Sequence, residues 1–194
     1  MKRITNESRL MPAAIELVNT HQLATVISLN NDAQVAHLPL VYDEHNQCFY
    51  GHCAANNHLL KSLTAKDKKP NVKLIFNGAH AYVSPTWHSD IKVPTWDYTV
   101  VHVSGKLEPV TGEQKQSLLA KQVNAFENEW QLKDMEEKLK TPMLNAISVF
   151  TISADVWQAK FKLSQNKSLG AKEAILHQMT QRGRGDMIRA YGVT

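Results

Sequence analysis

The residues best suited to hold a ligand fall in three short stretches. FKLSQN, residues 161–166, ends a strand-like run with Lys162, Ser164, Gln165 and Asn166 close together. A strand end needs no such crowd of donors and acceptors, whereas a ligand with several polar edges would use them. GHCAANNHLLKSL, residues 51–63, passes from strand to helix. Its first-turn amides, with Asn56 and Asn57 beside them and Lys61 one turn on, suit a phosphate, because a helix N-terminus leaves amides unpaired and its dipole favours anions. The same residues also describe a capped helix with Lys61 in solvent. VPTWDY, residues 93–98, sets Trp96 and Tyr98 beside a turn, either to stack on a planar ring or to close the end of a barrel.

Other chemistries find little support. There is no HExxH, CxxC or EF-hand pattern, so no metal centre is expected. His37, His52, His80 and His102 fall on separate strand-like runs. Ser84 and Ser164 lie outside any GxSxG elbow, and Cys53 follows His52 directly, so on a strand the two side chains point apart. No catalytic residue is assigned. The absence of GxGxxG and GxxxxGK[ST] argues against a Rossmann domain or a P-loop.

The elements that must position these stretches read mainly as strands. A helix is expected over 8–19, strands over 23–29, 34–43 and 48–52, and a helix over 54–66 capped by Asn56 or Asn57. Pro39 demotes its strand to an edge or a bulge. Asn77-Gly78 predicts a hairpin between strands 72–76 and 80–84. A long strand over 98–110 should bend at Gly105, and a helical run should span Gly112 to about Leu144. Residues 145–166 read as a pair of strands, Leu169 to Met179 as a last amphipathic helix, and QRGRGDMIRA as a frayed basic tail. Short turns imply antiparallel pairing. The expected architecture is one α+β, mainly β domain over 1–194, a closed or nearly closed barrel with helices outside. It carries a helical insertion around 112–144 and a C-terminal helix around 168–180.

Composition fits that picture. Hydrophobic residues make up 43% of 194, an ordinary share for a globular chain. The net charge of +4 and pI of about 9.0 favour anionic ligands in general. Cys48 and Cys53 are separated by an odd number of positions, which points them to opposite strand faces and suits reduced thiols. With no signal peptide and no long apolar run, a cytoplasmic location away from the membrane is expected.

Several stretches together resemble the PaiB family of FMN-binding regulators. They are HLPL (37–40), YGHCA (50–54), HAYVSPTW (80–87), VPTWDYTVVHVSGKLE (93–108) and FKLSQN (161–166). The resemblance implies a split β-barrel related to pyridoxamine-phosphate oxidases, and a homodimer with FMN at the subunit interface. It implies flavin-ring contacts from the strand holding His37, Leu38, Pro39 and Leu40, and from Trp96, Lys162, Ser164, Gln165 and Asn166. The phosphate would then meet His52, Asn56, Asn57, His58 and Lys61. The family's junction pattern is GHxARxNP, but here Ala55 replaces its arginine and His58 its proline. Loss of one charge-assisted contact would weaken FMN binding by about 1.5–3 kcal/mol unless His58 and Lys61 compensate. Asp97 stands for an asparagine in PTWNY and is expected to point away from the flavin. The family implies a transcriptional regulator, a repressor acting directly or through a partner, and the basic C-terminal residues, Arg182 and Arg184 among them, are the candidate DNA contacts. The alternative is an FMN-dependent oxidoreductase or haem-handling protein in which the flavin carries the chemistry.

Overall fold

The computed structural model describes residues 1–5, 8–29, 33–60 and 70–192. Its strands are β1 (Lys2–Ile4), β2 (Leu23–Ser28), β3 (Val35–Asp43), β4 (Cys48–Ala54), β5 (Asn71–Val83), β6 (Thr95–Val110), β7 (Ile147–Ser153) and β8 (Val156–Lys162). The helices are α1 (Met11–Thr20), α2 (Gly112–Phe126), α3 (Glu137–Asn145), α4 (Leu169–Gln181) and α5 (Gly185–Gly192). Short 3-10 turns cover Pro85–Trp87 and Leu132–Asp134. The strand order is β1-β8-β6-β5-β2-β3-β4-β7, and β7 also pairs with β6. That second pairing closes the order from β6 round to β7 into a ring, which removes exposed strand edges from those strands. The expected α+β barrel with flanking helices is what forms.

The chain divides into two compact units. The first holds Met1–Leu17, Asn77–Val101 and Gln158–Thr194, and the second holds Val18–Phe76 and His102–Trp157.

In the second unit, β2 pairs antiparallel with β3 and β5, β3 with β4, β4 with β7, and β7 with β6. Phe49 and Phe76 stack with ring centroids 5.2 Å apart inside it, and Tyr42 packs edge-on to Trp157 at 5.2 Å. Gly105 is required where β6 passes the end of β7. A Cβ there would lie 1.6 Å from the Ser153 carbonyl oxygen. The two strands expected over 145–166 form as β7 and β8, joined at residues 154–155, but they do not pair with each other. The link changes partners: the Ala154 amide donates to the Gln47 carbonyl, and the Asp155 amide to that of Ser104. The helical run expected from Gly112 to Leu144 is also divided, into α2 and α3 around the 3-10 turn. Lys115 staples the division, since its Nζ donates to the Leu144 carbonyl at 2.5 Å and to that of Ile147 at 2.9 Å.

The hairpin expected at Asn77-Gly78 is likewise absent, and β5 runs straight through both residues. Gly78 serves close packing rather than a turn, because a Cβ there would lie 2.2 Å from Thr99 Oγ1 and 2.9 Å from Leu17 Cδ1. This packing belongs to the first unit. Ala171, Ile175 and Met179 of α4 and Met187 of α5 pack on Ala79, Ala81, Val83, Ile91 and Leu163. The tail expected to fray is therefore helix. Gly183 at φ +64° ends α4, the Gly183 amide donates to the Thr180 carbonyl at 3.0 Å, and the Arg184 amide donates to that of Met179 at 2.9 Å. These bonds satisfy the last carbonyls of α4 and turn the chain into α5.

Alternation along β6 buries Asp97 completely, at the start of a face that continues with Thr99, Val101 and Val103. Its Oδ2 accepts hydrogen bonds from Ser164 Oγ at 2.7 Å and from the Tyr191 hydroxyl. Burial, reinforced by the bond to Asp97, pushes the Tyr191 phenol well above its ordinary pKa, so it remains a donor across the working pH range. Asp97 thus ties β6, the turn after β8 and α5 to one oxygen atom.

Two sets of variants test these constraints by urea denaturation. Gly78→Ala should cost about 1–3 kcal/mol, because the clashing side-chain ends can move. Gly105→Ala should cost more, because a backbone carbonyl cannot rotate aside; a smaller loss than for Gly78→Ala contradicts the close approach. Tyr191→Phe should cost about 1–3 kcal/mol by removing a donor from a buried acceptor. Asp97→Asn should cost less than Tyr191→Phe, since the amide oxygen still accepts from both hydroxyls. Full stability in Tyr191→Phe would place that hydroxyl in water.

Candidate functional site

In the first unit, FKLSQN is a turn that holds itself in shape. Ser164 adopts φ +53°, a left-handed conformation that a residue with a side chain rarely takes, and its hydroxyl is fixed on Asp97. The Gln165 amide bridges the same turn: Oε1 accepts from the Leu163 amide at 2.9 Å, and Nε2 donates to the Phe161 carbonyl at 2.7 Å. Lys162 Nζ donates to Thr95 Oγ1 and to the Trp96 carbonyl. Ser168 caps α4 by accepting from the Ala171 amide, and donates to Asp90. Within the turn only Asn166 presents its side chain outward without a role in holding the fold. The crowd of polar residues that suggests a ligand from sequence is thus largely a device for placing Trp96 and the start of α4.

What the turn places is one wall of a cleft of about 600 Å³, within the usual size of small-molecule sites. Trp96 is 53% exposed on β6. Its ring lies 5.8 Å from that of His80 and 6.3 Å, edge-on, from that of Tyr82. His80 and Tyr82 are alternate residues of β5 and share its exposed face. Trp87 lies across the cleft floor with the Arg182 guanidinium 4.9 Å over its ring, a cation–π contact. Ser84 and Thr86 add hydroxyls. Arg184 also lines the cleft, but Asp186 binds it bidentately at 2.8 and 3.0 Å. The hydrogen bond to Arg184 holds the Asp186 carboxyl below its usual pKa, so this pair is neutral in sum. Among the described residues no lining residue is acidic, and Arg182 gives the cleft positive charge.

Trp96, Arg182 and Arg184 arise from unrelated sequence arguments and meet here. Trp87 and Tyr82 are missed by those arguments. The alternation of β5 carries a signal for Tyr82 with His80, whereas the Arg182–Trp87 contact joins distant segments and leaves none.

The second unit places the remaining expected residues differently. Leu38 and Leu40 point into the core, 5% and 1% exposed. The Pro39 carbonyl is engaged by Gln122 Nε2 at 2.9 Å. His37 is exposed on β3, with Nδ1 3.1 Å from Thr25 Oγ1 across the strand pair. His52 Nδ1 lies 2.7 Å from Gln122 Oε1. Asn57 is the cap at the 51–63 junction, its Oδ1 accepting from the Leu59 amide at 3.0 Å. Asn56 and His58 are exposed, and Lys61 lies outside the described residues. Burial pushes the Cys53 thiol up to about 11, which leaves it inert.

The first unit's cleft fits a flavin by size, by its aromatic walls and by its cation. Asp97, the residue whose charge would oppose a flavin or phosphate, is fully buried and bonded to Ser164.

Comparison with known proteins agrees with that chemistry. The model of a family described as "Putative FMN-binding domain" matches residues 5–155, ending before FKLSQN. Protease synthase and sporulation protein PAI 2 of Bacillus subtilis is 28% identical over 173 residues, covering 86% of this chain and 80% of that one. Uncharacterized protein AN0679 of Emericella nidulans is 26% identical over 184 residues, covering 74% and 73%. Among solved structures, the FAD and haem binding protein of Mycobacterium smegmatis aligns with a TM-score of 0.55 at 15% identity, over 90% of this chain and 80% of that one. Flavocytochrome Anf3 of Azotobacter vinelandii aligns with a TM-score of 0.58 at 15% identity, over 78% and 66%. At such identities the structural likenesses establish the split-barrel fold alone. With most of its length inside the family model, the chain belongs to the FMN-binding domain family that its motifs resemble, and its cofactor is FMN.

Proposed function

We propose that the protein is an FMN-binding transcriptional regulator that works as a homodimer and receives the flavin in the cleft of the first unit. The observation that carries this reading is the cleft itself: exposed aromatic rings from β5 and β6 face a cavity where, among the described residues, Arg182 is the uncompensated charge. Bound flavin supplies a planar, redox-active ring. The chain's own residues do the rest. Trp96 offers a stacking face, held by the bond from Lys162 to its carbonyl. Arg182, braced by Gln178 and stacked on Trp87, faces the ligand's anionic end. The residues after Arg182 turn directly into α5, whose exposed face carries Ile188 and Arg189. Occupation of the cleft therefore bears on the helix pair whose basic side chains would meet DNA. The regulatory role draws on the relative PAI 2, whose name refers to protease synthase and sporulation.

The flavoenzyme reading keeps one supporting observation. His80 stands exposed beside Trp96, where a proton donor to a reduced ligand would be needed.

The experiment is a titration of the purified protein with FMN and with riboflavin, followed by tryptophan fluorescence. FMN should bind roughly tenfold tighter or more, because its phosphate carries about −1.5 to −2 charge and a charge-assisted contact contributes about 1.5–3 kcal/mol. Arg182→Ala should narrow that gap and Trp96→Ala should weaken both ligands. If Lys61→Ala closes the gap and Arg182→Ala does not, the phosphate lies at the 51–61 junction instead. Sedimentation should give about twice the 21.8 kDa chain mass. Upstream DNA should be bound with an affinity that falls steeply with salt and drops in Arg182→Ala with Arg189→Ala. Salt-insensitive or absent DNA binding, together with rapid oxidation of reduced nicotinamide that requires His80, would replace the regulator by the enzyme.

A further inference from the structure

The second unit has a cavity of its own. α2, α3 and the turn between them cover a space of about 190 Å³ beside β4 and β7. Trp130, Leu132, Met135, Met143 and Leu144 line it, with His52 from β4. Its size is close to that of the apolar cavities of about 150 Å³ that accept a single benzene ring. Trp130 is 38% exposed and Met143 50%, so the rim is open to solvent. Methionine sulfur and an indole face both favour an aromatic guest over an aliphatic one. Among the described residues the lining ammonium, Lys140, is paired with Glu137 at 2.6 Å, so its charge is already met.

Among the polar groups in this wall, which include Gln116 and Lys140, His52 is held in a defined state. Gln122 is 2% exposed, and its Nε2 donates to the Pro39 carbonyl, which can only accept. The amide orientation is thereby fixed, and Oε1 must face His52. His52 Nδ1 therefore carries the hydrogen and donates to Gln122, so Nε2 is the ring nitrogen left to accept. A half-buried acceptor beside mostly apolar side chains favours a ligand that brings one donor to it.

We infer that this cavity is a second small-molecule site, which takes an uncharged single-ring compound with one hydrogen-bond donor, such as a phenol, paired to His52 Nε2. The site is separate from the flavin reading, and it reassigns His52 from the phosphate of FMN to a different ligand. A regulator with such a pocket would sense a small aromatic compound through the insertion helices.

The test is calorimetric titration of the full chain with phenol and with toluene, which share the ring but not the donor. Phenol should bind saturably and roughly threefold to tenfold tighter than toluene, the range of one ordinary hydrogen bond. Gln122→Leu, which frees the His52 ring, should bring phenol down to toluene. Val123→Phe, which fills the cavity, should abolish both while FMN still binds. The inference is overturned by no saturable phenol binding at millimolar concentration, by equal affinities for the two probes in the native protein, or by phenol binding that survives Val123→Phe. The comparison of probes in the native protein decides the matter even if Gln122→Leu does not fold.

Discussion

The first unit depends on one oxygen atom. Asp97 Oδ2 is fully buried and accepts from Ser164 and Tyr191, hydroxyls that come from the turn after β8 and from the last helix. Burying a carboxyl group is costly unless donors meet it, so any state that releases either hydroxyl is penalised. That penalty holds Ser164 at its left-handed φ and keeps α5 docked beyond the glycine that ends α4. The other oxygen, Oδ1, has no hydrogen bond among the described residues, which makes the two donors on Oδ2 matter more.

The cleft follows from that arrangement. With the turn fixed, Lys162 reaches the carbonyl of Trp96 and sets the strand from which the indole projects. With α5 docked, Arg182 and Arg184 occupy the bend between the helices, one stacked on Trp87 and one neutralised by Asp186. The result is an aromatic cleft with one uncompensated cation among the described residues. In the second unit a different lock serves the same end. There a buried glutamine, oriented by a proline carbonyl, decides which nitrogen of His52 is left to a ligand.

Much of this was legible in the sequence, because strand alternation and turn chemistry are local. β2, β3, β4 and β6 and the motifs of the FMN-binding family read from short windows. The failures share a cause. Asn77-Gly78 has the composition of a hairpin, but its glycine answers to Thr99 and Leu17, which no local window contains. Residues 145–166 alternate as two adjacent strands should, yet the partners of Ala154 and Asp155 are distant carbonyls. The C-terminal residues look like a basic tail until Met187 and Tyr191 are seen to have places in the core and on Asp97. FKLSQN is the most instructive case. Its polar residues mark a functional region, but most of them build the turn that positions the site.

Whether the Asp97 node shapes the cleft proposed for FMN is tested most directly by the FMN affinity of the Tyr191→Phe protein. Tyr191 does not line the cleft, and it acts on the ligand only through Asp97 and the turn. The account predicts an affinity reduced roughly fivefold or more in a protein that remains folded at the temperature of the titration, the size of effect expected when one buried hydrogen bond of about 1 kcal/mol is lost from the supporting structure. An unchanged FMN affinity in folded Tyr191→Phe would contradict it, and would place the flavin away from the cleft that Asp97 holds in shape.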